Sequence, residues 1–332
     1  MQDIEELPID DYIVVGEIIN ASVPSSAVIP QKYLLQHTII LGATGSGKTH
    51  TCATIVSRAS MYKRIILDWH GEYKDLLSGA VMDPYQLPVN PILQDHSETV
   101  ELLSASINLT APQAYLLEKT LERTRKGTLS EILYLLETHI DESGWMRESR
   151  LSLIRKLAPL LRQKYRDLFT GDDETIDKII KSPVKSIYII DLSRIRDPII
   201  RRIYATILLK KIFDEAIYHG LGNPMLIVIE EAQNLVGRDN PVGLISRMLA
   251  EIRKFGIGLI LVSQSPSSLM EDAMKNTNTK IVHSIKSSVD LDIVSRILYL
   301  PNDYQRILPY LDVGEAILYT KPYKKPVIIR VK

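Results

Sequence analysis

The stretch GATGSGKT, Gly42–Thr49, follows the apolar run HTIIL (His37–Leu41) and leads into the amphipathic run THTCATIVSRASMY. The pattern GxxxxGK[ST] would arise by chance in a chain of this length about once in a hundred, at average residue frequencies. A strand before it and a helix after it form the arrangement in which backbone N–H groups and a helix N-terminus face phosphates. Gly42, Ala43, Thr44, Gly45, Ser46, Gly47, Lys48, Thr49 and His50 are therefore the candidate phosphate cradle. In it Lys48 would neutralise the β and γ phosphates and Thr49 would hold Mg²⁺ through its hydroxyl.

Hydrolysis also needs carboxylates. They stand in LIVIEE, where an apolar strand ends at Glu230, placed to orient the Mg²⁺ shell. Glu231 follows, placed to polarise the attacking water as general base. Two adjacent acids at the end of a buried strand are costly for structure alone. No NKxD motif for reading guanine occurs, so ATP is the expected nucleotide.

The rest of the chain fits an α/β class. Short apolar runs (HTIIL, RIILD, SIYIIDL, MLIVIEE, IGLILVSQ, KIVHSI, AILYT, PVIIRV) alternate with amphipathic helices over residues 31–80 and 184–332. That alternation predicts a mainly parallel sheet covered by helices. Residues 81–183 lack strand-like runs and read as a helical insertion (AYLLEKTLERTRK, LSEILYLLETHI and the long run RLSLIRKLAPLLRQKYRDLF). Thr128–Glu131 offers a capping box and Pro112 a helix start. Residues 1–30 form a short N-terminal segment.

Composition narrows the class. The 332 residues are 45% hydrophobic, enough for a sizeable core. Cys52 is the single cysteine, which excludes an internal disulfide and a cysteine-based zinc site. Apolar runs fall far short of the roughly 20 residues that cross a bilayer, and the acidic start MQDIEELPIDD opposes a signal peptide. The expectation is a soluble, cytoplasmic protein with no membrane partner. Forty basic and forty acidic residues cancel, so net charge gives no argument for nucleic acid. The first 31 residues nevertheless hold six acids and no base, and the last thirteen five bases and no acid.

Three further segments carry a family resemblance: LDWHGEY (Leu67–Tyr73), EEAQNL after the second acidic strand, and EIRKFGIGLILVSQSPSSL (Glu251–Leu269). With GATGSGKT they resemble the HerA/FtsK superfamily of ring-forming DNA-translocating ATPases, above all its archaeal HerA branch. The resemblance runs from about Gly16 to the C-terminus. It implies a RecA-like (ASCE) P-loop NTPase core, a homo-hexamer, double-stranded DNA as the partner, and work alongside the nuclease NurA on DNA ends. It also implies that Gln264 is the polar sensor of the γ-phosphate or attacking water. Arg253, with Arg247 second, would be the arginine that enters a neighbour's site, the other reading being a solvated helix-end cation. Asp68, His70 and Glu72 match the post-strand motif near nucleotide or subunit contact, unless they serve only a turn.

The chain also departs from the family. Gln233 stands where the family often has His, which implies different coupling between hydrolysis and DNA. Only about thirty residues precede the motor, with YIVVGEII as at most one strand of the family's N-terminal barrel, so NurA-type docking is not expected to carry over. A different partner could use the acidic first 31 residues. The DNA surface is open to two readings. Trp145–Arg166 holds seven bases and one acid, Glu148, which suits either a phosphate-tracking surface or a solvated amphipathic helix. The VGRDNPVG loop with Arg238 is the alternative. The other function class is a P-loop ATPase that switches a protein assembly and moves no DNA.

Overall fold

Strand β3 (Thr38–Leu41) is buried at every position, as are β4 (Lys63–Asp68), β7 (Met225–Ile229) and β8 (Ile257–Ser263). Continuous apolar strands of this kind belong in a parallel sheet covered on both faces. In the computed structural model, which describes residues 11–138, 143–171, 174–237 and 251–332, these four lie side by side in one sheet of eleven strands. The others are β1 (Tyr12–Ile18), β2 (Ser25–Pro30), β5 (Ala80–Met82), β6 (Ile187–Asp191), β9 (Thr279–Val282), β10 (Glu315–Tyr319) and β11 (Val327–Val331). Their order is β2-β1-β11-β10-β9-β3-β8-β7-β4-β6-β5. From β9 to β5 every pairing is parallel, and from β9 outward through β10, β11, β1 and β2 every pairing is antiparallel.

Alternation along the strands splits the core in two. Ile39, Leu41, Ile65, Leu67, Ile227 and Ile229 point to one face, with α7 (Pro198–Tyr218) and the helices that follow β5. Ile40, Ile66, Leu226, Val228, Ile260 and Val262 point to the other, with α1 (Lys48–Arg58) and the β1–β2 hairpin. Residues 12–30 thus extend the ATPase sheet itself. Residues 1–10, which carry most of the acidic N-terminal stretch, lie outside the described residues.

Between β5 and β6 stand α2 (His96–Ile107), α3 (Ala111–Leu121), α4 (Leu129–Thr138), α5 (Gly144–Leu157) and α6 (Glu174–Ile180). The long run expected as one helix stops at Leu157, because Pro159 has no N–H to give the Arg155 carbonyl and its ring crowds that carbonyl. A 3-10 turn, Ala158–Leu161, follows. Thr128 accepts only one bond of the expected capping box, from Glu131 N at 3.3 Å, while the Glu131 carboxylate takes the N–H groups of Arg125 and Lys126. A complete box, Thr110 with Gln113, caps α3, with Pro112 in its first turn. The three-residue β5 had no strand signal in the sequence. It is an edge strand, paired to β6 alone.

Candidate active site

Strands β3 and β4 are consecutive in the chain but separated in the sheet by β8 and β7. Loops leaving the carboxyl ends of these parallel strands must diverge there, and ligands of open α/β sheets bind at such a point. GATGSGKT leaves β3, LDWHGEY leaves β4, Glu230 and Glu231 follow β7, and Gln264 follows β8.

The loop after β3 is a cradle that only glycine fits at its turns. Gly42, Gly45 and Gly47 have φ of 154°, 75° and 106°. A Cβ on Gly42 would sit 2.6 Å from the His283 Cβ and 2.7 Å from the Ser46 hydroxyl. Lys48 is buried, and its Nζ donates to the Ala43 carbonyl across the loop at 2.9 Å. Burial lowers its pKa, and the nearby carboxylates of Glu231, Glu230 and Glu72 oppose that shift. A buried cation balanced by acids and lying over open backbone N–H groups fits a polyphosphate chain. Thr49 is half-buried and His50 exposed.

The carboxylates are held by the loop after β4. Glu230 is buried and its Oε2 accepts from Trp69 N (2.8 Å) and His70 N (3.2 Å). Burial, and then the adjacent Asp68 carboxylate, pushes the Glu230 carboxyl up to about 8, against the pull of those two amides. Asp68, fully buried, organises the turn: its Oδ1 accepts from Gly71 N (2.8 Å) and Glu72 N (3.2 Å), and its Oδ2 from Tyr73 N (2.9 Å). The same turn carries His70 to within 3.5 Å of Glu231, Nε2 to Oε1. LDWHGEY is thus a turn built by Asp68 that presents His70 to the site.

Glu231 has φ 49° and ψ 48°, a left-handed conformation that costs a non-glycine residue about 1–2 kcal/mol. Such strain persists where the surroundings enforce it, commonly at active sites. Here the surroundings are amides: Gln264 Nε2 donates to Oε1 and Gln233 Nε2 to Oε2, while Gln233 Oε1 accepts from the Ser263 hydroxyl at 2.7 Å. Gln264 Oε1 in turn accepts from the Thr44 hydroxyl at 2.6 Å. Gln264 can span phosphate loop and carboxylate because β8 lies between β3 and β7. Arg253 is exposed in the 3-10 turn Ile252–Phe255 before β8 and stands apart from this cluster; Arg238 and Arg247 lie outside the described residues.

The family model described as "Helicase HerA, central domain" matches residues 13–212. The chain belongs to this family. The DNA double-strand break repair helicase HerA of Sulfurisphaera tokodaii is 29% identical over 348 residues, covering 96% of this chain and 68% of that protein. The HerA of Sulfolobus acidocaldarius is likewise 29% identical, over 350 residues, with 96% and 68% covered. Among solved structures, VirB4 of Thermoanaerobacter pseudethanolicus superposes with a TM-score of 0.76 at 16% identity, covering 96% of each chain. The plasmid coupling protein TrwB in complex with ADP and Mg²⁺ gives 0.65 at 14% identity, covering 96% of this chain and 88% of that one. These likenesses establish the RecA-like P-loop fold, and the chain is a P-loop ATPase of the HerA family.

In this HerA-family chain the residues expected to face a metal have the oxygen chemistry that Mg²⁺ takes. Thr49 and Glu230 offer hard oxygens, and among the described residues no group of three His, Cys, Asp or Glu could hold a metal unaided. Phosphate oxygens would have to complete the shell, as is usual for this ion.

Motif reasoning passed over His283, whose signal was a lone polar residue in the apolar run KIVHSI. It is fully buried beneath the phosphate loop. Its Nδ1–H donates to the Glu315 carbonyl (2.8 Å), so its Nε2 accepts from the Thr51 hydroxyl (2.9 Å) in α1. Burial lowers its pKa to about 4, the Lys48 charge adds to the effect, and hydrogen bonds to Glu315 and Ser46 oppose it. Because the folded value lies below the unfolded 6.5, the neutral ring stabilises the fold fully above pH 6.5. That contribution, roughly 3 kcal/mol, is lost as pH falls toward 4. Thermal unfolding from pH 7 to pH 4.5 should therefore lower Tm less steeply in His283→Gln than in the parental chain. Equal slopes would show that the ring is not held neutral.

Proposed function

We propose that this chain is one subunit of a homo-hexameric ring that hydrolyses ATP to move double-stranded DNA. The observation that carries the reading is the convergence of Lys48, Glu231 and Gln264 beyond the carboxyl ends of β3, β7 and β8 in a member of the HerA family. In the proposed reaction the loop amides and Lys48 hold the β and γ phosphates, and Mg²⁺, near Thr49 and Glu230, would neutralise their charge. Glu231 takes the proton of the attacking water. A carboxylate has about four lone-pair sites, and the two amide donors leave room for that water. Gln264, already touching the loop and Glu231, orients water against γ-phosphate.

For DNA, the basic stretch of the insertion is the favoured surface. Arg147, Arg155, Arg162, Lys164 and Arg166 are exposed, whereas Arg150 donates to the Leu136 carbonyl and Lys156 to the Asn108 carbonyl and Gln113. Breaking of the helix at Leu157 carries the last three basic residues out of the amphipathic pattern and supports this choice over a merely solvated helix face. Cytoplasmic location accords with the finding that, among the described residues, no helix is long and apolar enough to cross a membrane.

Long double-stranded DNA is expected to raise the hydrolysis rate, and the stimulation should fall steeply between 50 and 200 mM salt, by roughly a hundredfold or more in apparent affinity. Steady-state ATPase assays across salt measure this. Hydrolysis indifferent to DNA at low salt would transfer the assignment to the protein-switch class.

A further inference from the structure

On the side of the phosphate loop away from Glu231, a cavity of about 330 Å³ is walled by Ala43–Ser46, the segment that follows β9 (Ser284, Lys286) and the turn Pro309–Val313. In it Tyr310 is 82% exposed and Val313 77%, two large apolar side chains beside a site whose Lys48, Glu230 and Glu231 are buried. We propose that this turn is the seat of the nucleotide's base and sugar, with the Tyr310 ring stacked on the base and Val313 against the ribose.

The sheet sets the direction. Glu231 and Gln264 lie on the β7 and β8 side of β3, so a nucleotide with its γ-phosphate toward them runs its other end toward β9. That end meets Tyr310 and Val313. The turn is fixed to the phosphate loop rather than hanging from it. Gly314 N donates to the Ser46 carbonyl at 3.1 Å, and a Cβ on Gly47 would lie 3.1 Å from Gly314 N. The Ser284 hydroxyl donates to the Pro309 carbonyl at 3.1 Å, and Ala43 N to the Ser284 carbonyl at 2.8 Å. Glu315 closes the turn from below, accepting from Asp312 N and pairing with Arg330 at 2.8 Å. A rigid wall with exposed ring and methyl groups is preorganised for a flat apolar face.

This inference rests on the ATPase reading above, and the test separates the two. Dissociation constants for ATP and, as a probe without base or sugar, inorganic tripolyphosphate are measured on the parental chain, Tyr310→Ala and Tyr310→Phe, with kcat, KM and assembly mass. Tyr310→Ala should bind ATP about tenfold more weakly, or about 1.4 kcal/mol, within the range for a base stacked on an aromatic ring. Tripolyphosphate binding and kcat should stay within about twofold, and Tyr310→Phe should restore the ATP constant. Unchanged ATP binding in Tyr310→Ala would overturn the assignment, as would equal weakening of ATP and tripolyphosphate, which would mean a distorted loop. A drop in assembly mass with ATP binding intact would make Tyr310 a contact between copies and overturn it as well. A parental chain that binds tripolyphosphate but never hydrolyses ATP would sink the ATPase reading and leave the seat to be judged on binding alone.

Discussion

Glu231→Gln is expected to lower kcat by about 10² to 10⁴-fold, the range for removal of a general base, while ATP stays bound as tightly as in the parental chain. The two quantities separate because the substitution removes a lone pair and not a shape. Glu231 is pinned by donors, the Gln264 and Gln233 amides, that a neutral amide oxygen can still satisfy on one side. Its left-handed backbone is no harder for Gln than for Glu. Lys48 and the loop amides that would hold the phosphates are untouched. Equilibrium ATP binding together with steady-state turnover decides the matter. A variant that turns over at near the parental rate would move the base role to Glu230, whose carboxyl is already bound to the Trp69 and His70 amides.

How far the site was legible in sequence depends on how local each part is. GATGSGKT could be read because its geometry is set within eight residues, by glycines at positive φ. Glu231 could be read because a strand end followed by acids is also local. Gln264 came only through family resemblance, since its reach to both Thr44 and Glu231 follows from β8 lying between β3 and β7, a long-range fact. Gln233 was noticed as a departure from the family, but its bond to Glu231 and its relay to Ser263 depend on the turn after β7. His283 left only a lone polar residue in an apolar run as its signal, and the Pro309–Val313 turn left none, for the same reason: they approach the loop from the β9 and β10 side, more than 200 residues along the chain. In the fold, alternating strands and helices gave the parallel core. The end of α5 at Pro159 had its signal in plain view, outweighed by the apolar periodicity that continues past it. Strand β5 had none, because three edge residues gain their order from β6 and not from their own pattern.

Arg253→Ala is expected to lower kcat by about 10³-fold or more, the contribution of an arginine that meets transferring phosphate charge, and geometry dictates how. Arg253 precedes β8, whereas Gln264 follows it. The seven residues of the strand separate the two by about 20 Å, far beyond the reach of one side chain. Arg253 therefore cannot serve its own subunit's site, and any catalytic role must be played in a neighbour. Burial supports the same reading: the residue is exposed while Ile252 beside it is buried, so the turn is anchored and the arginine projects outward. Mixing tests this directly. Arg253→Ala chains keep Glu231, and Glu231→Gln chains keep Arg253, so an equal mixture in a head-to-tail ring pairs an intact base with an intact arginine at about one interface in four. Each variant should be nearly inactive alone and the mixture should recover about a quarter of the parental rate, if interfaces act independently. Full activity of Arg253→Ala alone would reduce the residue to a solvated cation, and two inactive variants that recover nothing on exchange of subunits would rule out its action across the boundary.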